Sequence, residues 1–138
     1  MTVAVISWNT RELLIRCLRS LEQDVAAGEA EAWVVDNGSA DGSAAAVRAE
    51  APWATVVEAP ENLGFGRAVN LVADRTEGEW LVCAIADVAL EPGALRALLD
   101  AAGDARVGAV APRLILADGR TQHSAYPFPT VSFTVAFN

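Results

Sequence analysis

Lysine is absent from this sequence: its ten basic residues are all arginine, set against eighteen acidic ones, for a formal net charge of −8 over 138 residues. Nucleic-acid binders carry a basic face, and none is visible here, so that class is excluded. An anionic ligand is not, provided helix N-termini, an arginine or a bound cation supply positive charge. Histidine is nearly absent as well; His123 stands alone and reads as a surface or turn residue. The two cysteines, Cys17 and Cys83, sit far apart in apolar stretches, which suits reduced, buried thiols and no metal pair. Met1-Thr2-Val3 lacks the basic flank of a signal peptide. The longest apolar segment, Trp80 to Leu90, is broken by Asp87 and too short to span a bilayer. These absences point to a cytoplasmic chain, with a role at the inner face of the membrane left open. No Gly-x-Gly-x-x-Gly follows the first apolar run, which argues against a dehydrogenase. Receiver-type signalling domains and P-loop enzymes are expected to use a lysine.

What is present suits one globular domain, with 53% hydrophobic and 20% charged residues and no linker or internal repeat. Val3 to Trp8 reads as a buried strand, with Asn9 as the cap of a helix and Glu12 in the capping-box position. Leu13, Leu14, Cys17, Leu18 and Leu21 then share one helical face. Ala32 to Val35 is a second strand, Gly42 to Ala51 a helix, Trp53 to Glu58 a third strand, and Pro60 to Gly66 a loop before a helix ending near Thr76. Glu79 to Ala86 is a fourth strand; Pro92 suits the first turn of a helix whose buried face carries Leu95, Leu98, Leu99 and Ala102; Val107 to Ala111 is a fifth strand. Apolar strands alternating with amphipathic helices predict an α/β, Rossmann-like fold, a mostly parallel sheet with helices on both faces. Ligands of such sheets bind beyond the carboxyl ends of the strands. Here those ends carry Trp8-Asn9, Asp36-Asn37, Glu58 through Asn62, and Asp87.

Several of these residues have both a plain and a chemical reading. Asp36-Asn37-Gly38-Ser39-Ala40-Asp41-Gly42 is good turn chemistry, with Ser39 or Asp41 available to cap a helix. Asp36, ending a buried strand, equally suits a carboxylate that accepts a ligand hydrogen bond; uracil and thymine offer an N3–H donor, whereas cytosine and adenine lack a ring N–H on that edge. Trp8 alternates in phase with Ala4 and Ile6 as a core residue would, yet it ends its strand and could stack on a base for about 1–3 kcal/mol. Gly64 and Gly66 permit close backbone approach at a helix N-terminus, and Arg67 beside them suits phosphate oxygens. Asp87 interrupts an apolar run, where a charge is costly unless paired or metal-bound. It suits either a backbone turn or a Mg²⁺ or Mn²⁺ ion bridging a diphosphate.

Ser7-Trp8-Asn9, Asp36-Asn37-Gly38-Ser39 with Asp41-Gly42, and Glu61-Asn62-Leu63-Gly64-Phe65-Gly66 with Asn70 resemble family 2 inverting glycosyltransferases. So do Asp87, the run Leu90-Glu91-Pro92-Gly93-Ala94-Leu95, and Pro112-Arg113-Leu114. The order and spacing hold from Val3 to about Pro129, and the rhamnosyltransferase-like branch, which builds cell-surface polysaccharides, is the most similar. The resemblance implies a GT-A fold over residues 1–129, a UDP- or dTDP-sugar donor and a divalent metal. It implies a donor site of Ser7, Trp8, Asn9, Asp36, Asn62, Gly64, Arg67 and Asp87. Trp8 would flank the base, Asp36 would meet its N3–H, Arg67 would lie near the diphosphate, and Asp87 would hold the metal.

Two departures from the family pattern stand out. The family places Asn or Asp, then Pro, before this aspartate; here Ile85 and Ala86 stand there, and Val88 replaces Thr, which predicts weakened metal binding. The family's catalytic base lies well downstream, so the resemblance places it beyond Asn138, with the polysaccharide or lipid-linked acceptor site. Glu91, Asp100, Asp104 and Asp118 do not sit in its motif. A binding module without turnover is the alternative to a transferase. Residues 130–138 form an apolar tail in which Val131, Phe133, Val135 and Phe137 alternate with Ser132, Thr134 and Ala136. This pattern predicts a half-buried strand able to dock on a second copy of the chain.

Overall fold

The structure, a computed structural model, describes residues 1–124. Strand β1 spans Thr2–Ser7, followed by α1 (Arg11–Ala26), β2 (Glu31–Asp36), α2 (Ser43–Glu50), β3 (Thr55–Glu58), α3 (Phe65–Ala73), β4 (Leu81–Ile85) and α4 (Ala94–Ala101). All pairings are parallel, in the order β3-β2-β1-β4. The chain divides into two units, Met1–Leu95 and Arg96–Asn138. Among the described residues no helix is long and apolar enough to cross a membrane.

Position in the sheet explains why the strands read so differently. β1 has a neighbour on each side and is buried along its whole length, so its sequence Thr-Val-Ala-Val-Ile-Ser shows no polar alternation. β3 is at one edge and is only half-buried; β4, at the other edge of the described strands, exposes Cys83 and Ile85. On one face Ala4, Ile6 and Val35 pack with Ala68, Val69 and Val72 of α3. The alternate residues, Val3, Val5 and Val34, are fully buried, and α1 lies across β1 and β2 with Leu14, Cys17, Leu18 and Leu21 buried. Each such Val or Leu contributes about 1.5–3 kcal/mol by leaving water, so these two layers hold the sheet. At the amino ends of the strands, Glu31 Oε1 accepts from the hydroxyls of Thr2 at 2.5 Å and Thr76 at 2.6 Å. Those bonds, Thr2 first, hold the Glu31 carboxyl below its usual range.

Several sequence expectations are corrected here. Leu13 is exposed and Ile15 is buried in its place, while Leu14, Cys17, Leu18 and Leu21 are buried as expected. Cys83 is exposed, since it lies on an edge strand rather than a central one; Cys17 is buried as expected. Pro92 precedes α4 instead of opening it, and Leu98 and Leu99 are only half-buried. Residues 107–111 form no strand: Gly108, Ala109 and Ala111 are exposed and offer little apolar area to bury. The second unit instead carries an antiparallel bridge, Ile115 with Thr121, around a turn in which Gly119 takes φ +81°. The expected tail strand at 131–137, its dimer contact and the boundary at residue 129 lie outside the described residues.

Candidate functional site

The carboxyl edge of a parallel sheet collects the loops that leave its strands, and three of these loops are tied together here. β2 lies between β1 and β3, so the loop after β2 reaches both neighbours. Toward β1, the Asn9 N–H donates to Ser39 Oγ at 2.9 Å, and the Ala40 N–H donates to Asn9 Oδ1 at 2.8 Å. The Arg11 N–H donates to Asp41 Oδ2 at 2.9 Å, while Asp41 Oδ1 accepts from the Ser43 N–H at 3.0 Å and its hydroxyl at 2.6 Å. The Ser43 hydroxyl, followed by these backbone donors, holds the Asp41 carboxyl below the usual range. Asp41 thus caps the start of α2 and, from across the site, the start of α1.

This arrangement corrects the expected capping box. Asn9 is not the N-cap: it has φ +53°, a left-handed conformation that Asn tolerates better than most residues, and its side chain serves the neighbouring loop. Thr10 occupies the cap position without a side-chain cap bond, its hydroxyl lying 3.0 Å from Ser7 Oγ. Glu12 is exposed beside Arg11 and does not fold back.

Toward β3, the buried Asn37 side chain spans to the next loop. Its Nδ2 donates to Asn62 Oδ1 at 3.0 Å and its Oδ1 accepts the Leu63 N–H at 2.9 Å. Asn62 Oδ1 also accepts the Gly64 N–H at 2.9 Å. Gly38 makes the approach possible: a Cβ there would lie 2.8 Å from the Glu61 carbonyl carbon and 2.9 Å from its Cα.

Asp36, at the end of β2, is 5% exposed; its Oδ1 accepts the Ser39 N–H at 3.0 Å. Oδ2 has no partner among the described residues and is not a buried unpaired atom, so it opens to solvent. A carboxylate held this way can accept one ligand N–H. Trp8 is 54% exposed, which removes the core reading and leaves its ring free at the end of β1. Ser7 is buried under this edge, its carbonyl accepting the Asn37 N–H at 2.8 Å. Gly64, with φ +78°, sets the start of α3, whose first-turn N–H groups at Phe65, Gly66 and Arg67 lack acceptors within the helix. Arg67 is exposed and makes no ion pair among the described residues.

Asp87 is exposed in the turn after β4, so its charge carries none of the burial cost that its apolar surroundings in sequence suggest. Its negative charge is felt at Cys17 on α1, where burial first and Asp87 second push the thiol up to about 11. Asp36 and Asp87 do not end adjacent strands: β1 separates β2 from β4, a lateral span of about 9.5 Å. The two carboxylates therefore stand at the ends of strands that are two places apart along the carboxyl edge. Among the described residues no three His, Cys, Asp or Glu side chains form a metal cluster. A lone exposed carboxylate still fits Mg²⁺ or Mn²⁺, which are commonly held by one or two carboxylates plus substrate phosphates and water. Ile85, 53% exposed and two residues before Asp87, offers no ligand atom.

Sequence reasoning placed Trp8, Asp36 and Asp87 at the carboxyl ends of strands, and the structure puts them directly after β1, at the end of β2 and in the turn after β4. It did not identify Asn37 or the double capping by Asp41. The signal for Asn37 was a second polar residue directly after a buried strand, which turn chemistry alone did not require.

The family model for glycosyl transferase family 2 matches residues 2–131. An N-acetylglucosaminyl-diphospho-decaprenol L-rhamnosyltransferase of Mycobacterium tuberculosis is 34% identical over 110 residues, covering 71% of this chain and 36% of that protein. A mannosyltransferase from Pyrobaculum calidifontis, solved in complex with GDP-Man and Mn²⁺, superposes with a TM-score of 0.72 at 30% identity, over 78% of this chain and 33% of that one. Residues 1–349 of S. aureus TarS superpose with a TM-score of 0.63 at 25% identity, over 72% of this chain and 32% of that one. The chain thus spans about a third of the length of the relatives it matches. The four-stranded parallel sheet with its helices agrees with the GT-A fold of these neighbours, and with nearly the whole chain matched, it belongs to glycosyl transferase family 2.

Proposed function

We propose that this chain is the donor-binding half of an inverting glycosyltransferase and that its carboxyl edge holds a nucleoside-diphosphate sugar. The observation that carries this reading is Asp36, nearly buried at the end of β2 with one carboxylate oxygen open to accept a ring N–H. Trp8 supplies an exposed ring to stack on the base. The α3 N-terminus and Arg67 supply the positive end for the diphosphate, which offsets the acidity of the chain. Asp87, two strands from Asp36, would hold Mg²⁺ or Mn²⁺ against the same phosphates. When bound, such an ion stabilises the departing diphosphate.

Uracil and thymine suit Asp36 through N3–H, which favours a UDP- or dTDP-sugar. Guanine presents a comparable ring N–H, and a mannosyltransferase 30% identical to this chain holds GDP-Man, so GDP-sugars belong in the same test. The acceptor, a cell-surface polysaccharide or its lipid-linked precursor, and the base that activates its hydroxyl are assigned to the part of longer relatives that this chain does not cover. The likeness to a rhamnosyltransferase named for a decaprenol-linked diphosphosugar supports that acceptor class. Binding without turnover is the second reading, favoured by Ile85 at the edge of the metal position.

Calorimetry of UDP, dTDP, GDP and ADP, each with and without Mn²⁺, tests the reading. Metal-dependent binding lost in Asp87→Ala and weakened in Asp36→Ala is expected, with Ile85→Asn tightening the metal-dependent part. Equal affinity for ADP, or metal-independent binding indifferent to Asp36→Ala, would overturn it.

A further inference from the structure

β1 and β2 end side by side, with Ser7 of one in register with Asp36 of the other. The two residues assigned to the base above, Trp8 and Asp36, therefore leave neighbouring strands at nearly the same level. Ser39, which is not among those donor contacts, joins them. Its main-chain N–H donates to Asp36 Oδ1 at 3.0 Å, and its hydroxyl accepts the N–H of the Trp8–Asn9 peptide at 2.9 Å. One half-buried residue thus orients the carboxylate with its backbone and ties down the chain behind the tryptophan with its side chain.

The hydroxyl holds a conformation that does not hold itself. Asn9 has φ +53°, which is disfavoured for any residue with a Cβ and persists where the surroundings impose it. Two bonds to the β2 loop impose it here, the Asn9 N–H on Ser39 Oγ and the Ala40 N–H on Asn9 Oδ1. Without them Asn9 relaxes toward negative φ, and the peptide it shares with Trp8 turns with it. Trp8 stands between this turn and the buried, sheet-bound Ser7, with its ring 54% exposed. The turn therefore sets the direction in which the ring leaves the chain.

Resting on the donor reading above, we propose that Ser39 is a positioning residue for Trp8: its hydroxyl fixes the Trp8–Asn9 peptide so that the ring meets the face of the base whose edge Asp36 reads. A ring placed before the ligand arrives loses less freedom on binding, and that difference is what Ser39 contributes. Ser39→Ala removes the acceptor for the Asn9 N–H and keeps the main-chain bond to Asp36. Ser39→Thr keeps both.

The test is a double-mutant cycle read by calorimetry of UDP in Mn²⁺ buffer, or of GDP if the wild-type chain prefers guanine. Ser39→Ala is expected to weaken binding about fivefold, with Ser39→Thr within about twofold of wild type. Trp8→Ala is expected to cost about tenfold, and adding Ser39→Ala to it should cost less than about twofold more. Asn9→Gly, at an exposed position, keeps the left-handed turn accessible and loses the Ala40 bond; its loss should likewise vanish in the Trp8→Ala background, which keeps the test open if Ser39→Ala folds poorly. Penalties that add in the double variants would mean that Ser39 only supports the fold. Unchanged affinity in Ser39→Ala, or a Ser39→Thr variant as weak as Ser39→Ala, would mean that the hydroxyl carries nothing; each of these results overturns the inference. Wild-type affinity in Trp8→Ala, or no nucleotide binding by the wild-type chain, is a different result and overturns the donor reading itself.

Discussion

Replacing Gly38 with alanine isolates the cost of bringing two loops of the site into contact. Gly38 and Gly42 both have φ +80°, so either alanine variant is forced into a left-handed backbone, at about 1–2 kcal/mol. Both also gain the same offset of about 0.4–1 kcal/mol from a less flexible unfolded chain. Their surroundings differ. At Gly42 a Cβ meets nothing within 4 Å, whereas at Gly38 it falls 2.8 Å from the Glu61 carbonyl carbon and 3.1 Å from the Asn62 nitrogen. Those atoms are backbone and cannot swing aside as a side chain would. The loop must shift, stretching the hydrogen bonds that Asn37 makes to Asn62 and Leu63. Weakening two partly buried hydrogen bonds adds about 1–3 kcal/mol. Gly42→Ala is therefore expected to cost about 1 kcal/mol or less, and Gly38→Ala about 2–4 kcal/mol. Urea denaturation followed by circular dichroism reads this as a midpoint for Gly38→Ala well below that of Gly42→Ala, with the slope unchanged. If the two variants unfold at the same midpoint, the close approach of the β2 and β3 loops is not part of the folded protein and the argument fails.

Asp41 provides a test with a pH signature. Its folded pKa is depressed, so its contribution is present above the ordinary carboxylate value near about 4 and disappears as pH falls through the folded pKa. Asp41→Asn keeps one acceptor oxygen and loses the other, so it should cost about 1 kcal/mol at pH 7, and the gap to wild type should close in acid; a gap that persists unchanged at low pH refutes the assignment. The two thiols should separate cleanly under a thiol reagent at mildly alkaline pH. Exposed Cys83 should react in the native protein, and Cys17, buried and pushed up to about 11, only after denaturation; simultaneous reaction would contradict its burial.

The alternation of apolar runs with amphipathic segments was enough to place the first four strands and the helices between them, because β-branched runs and helical stripes differ in period even where an edge strand is only half-buried. It failed at 107–111, where a β-like run of Val, Gly and Ala carries too little side chain to commit a segment to pairing. It also misplaced Leu13: five apolar residues crowd the first turns of α1, and only packing decides which one stays outside. The site was legible as a set of polar residues at strand ends. Its wiring was not. Whether Asp41 caps one helix or two, or whether Asn37 faces its own turn or the next loop, depends on strand order, and strand order is a property of the sheet rather than of any local stretch. The lateral separation of Asp36 and Asp87 has the same origin, since β1, first in sequence, lies between β2 and β4.

The clasp that joins the three loops bears on how this edge breathes. The amides of Arg11, Ala40 and Leu63 belong to three separate loops, yet each donates to a side chain rooted in another. Local opening of the β2 loop breaks all three bonds at once, while fraying of either neighbour breaks only its own share. In an isotope-exchange experiment these three amides would report a single opening event governed by the middle loop, and a nucleotide seated on Asp36 would slow all of them together.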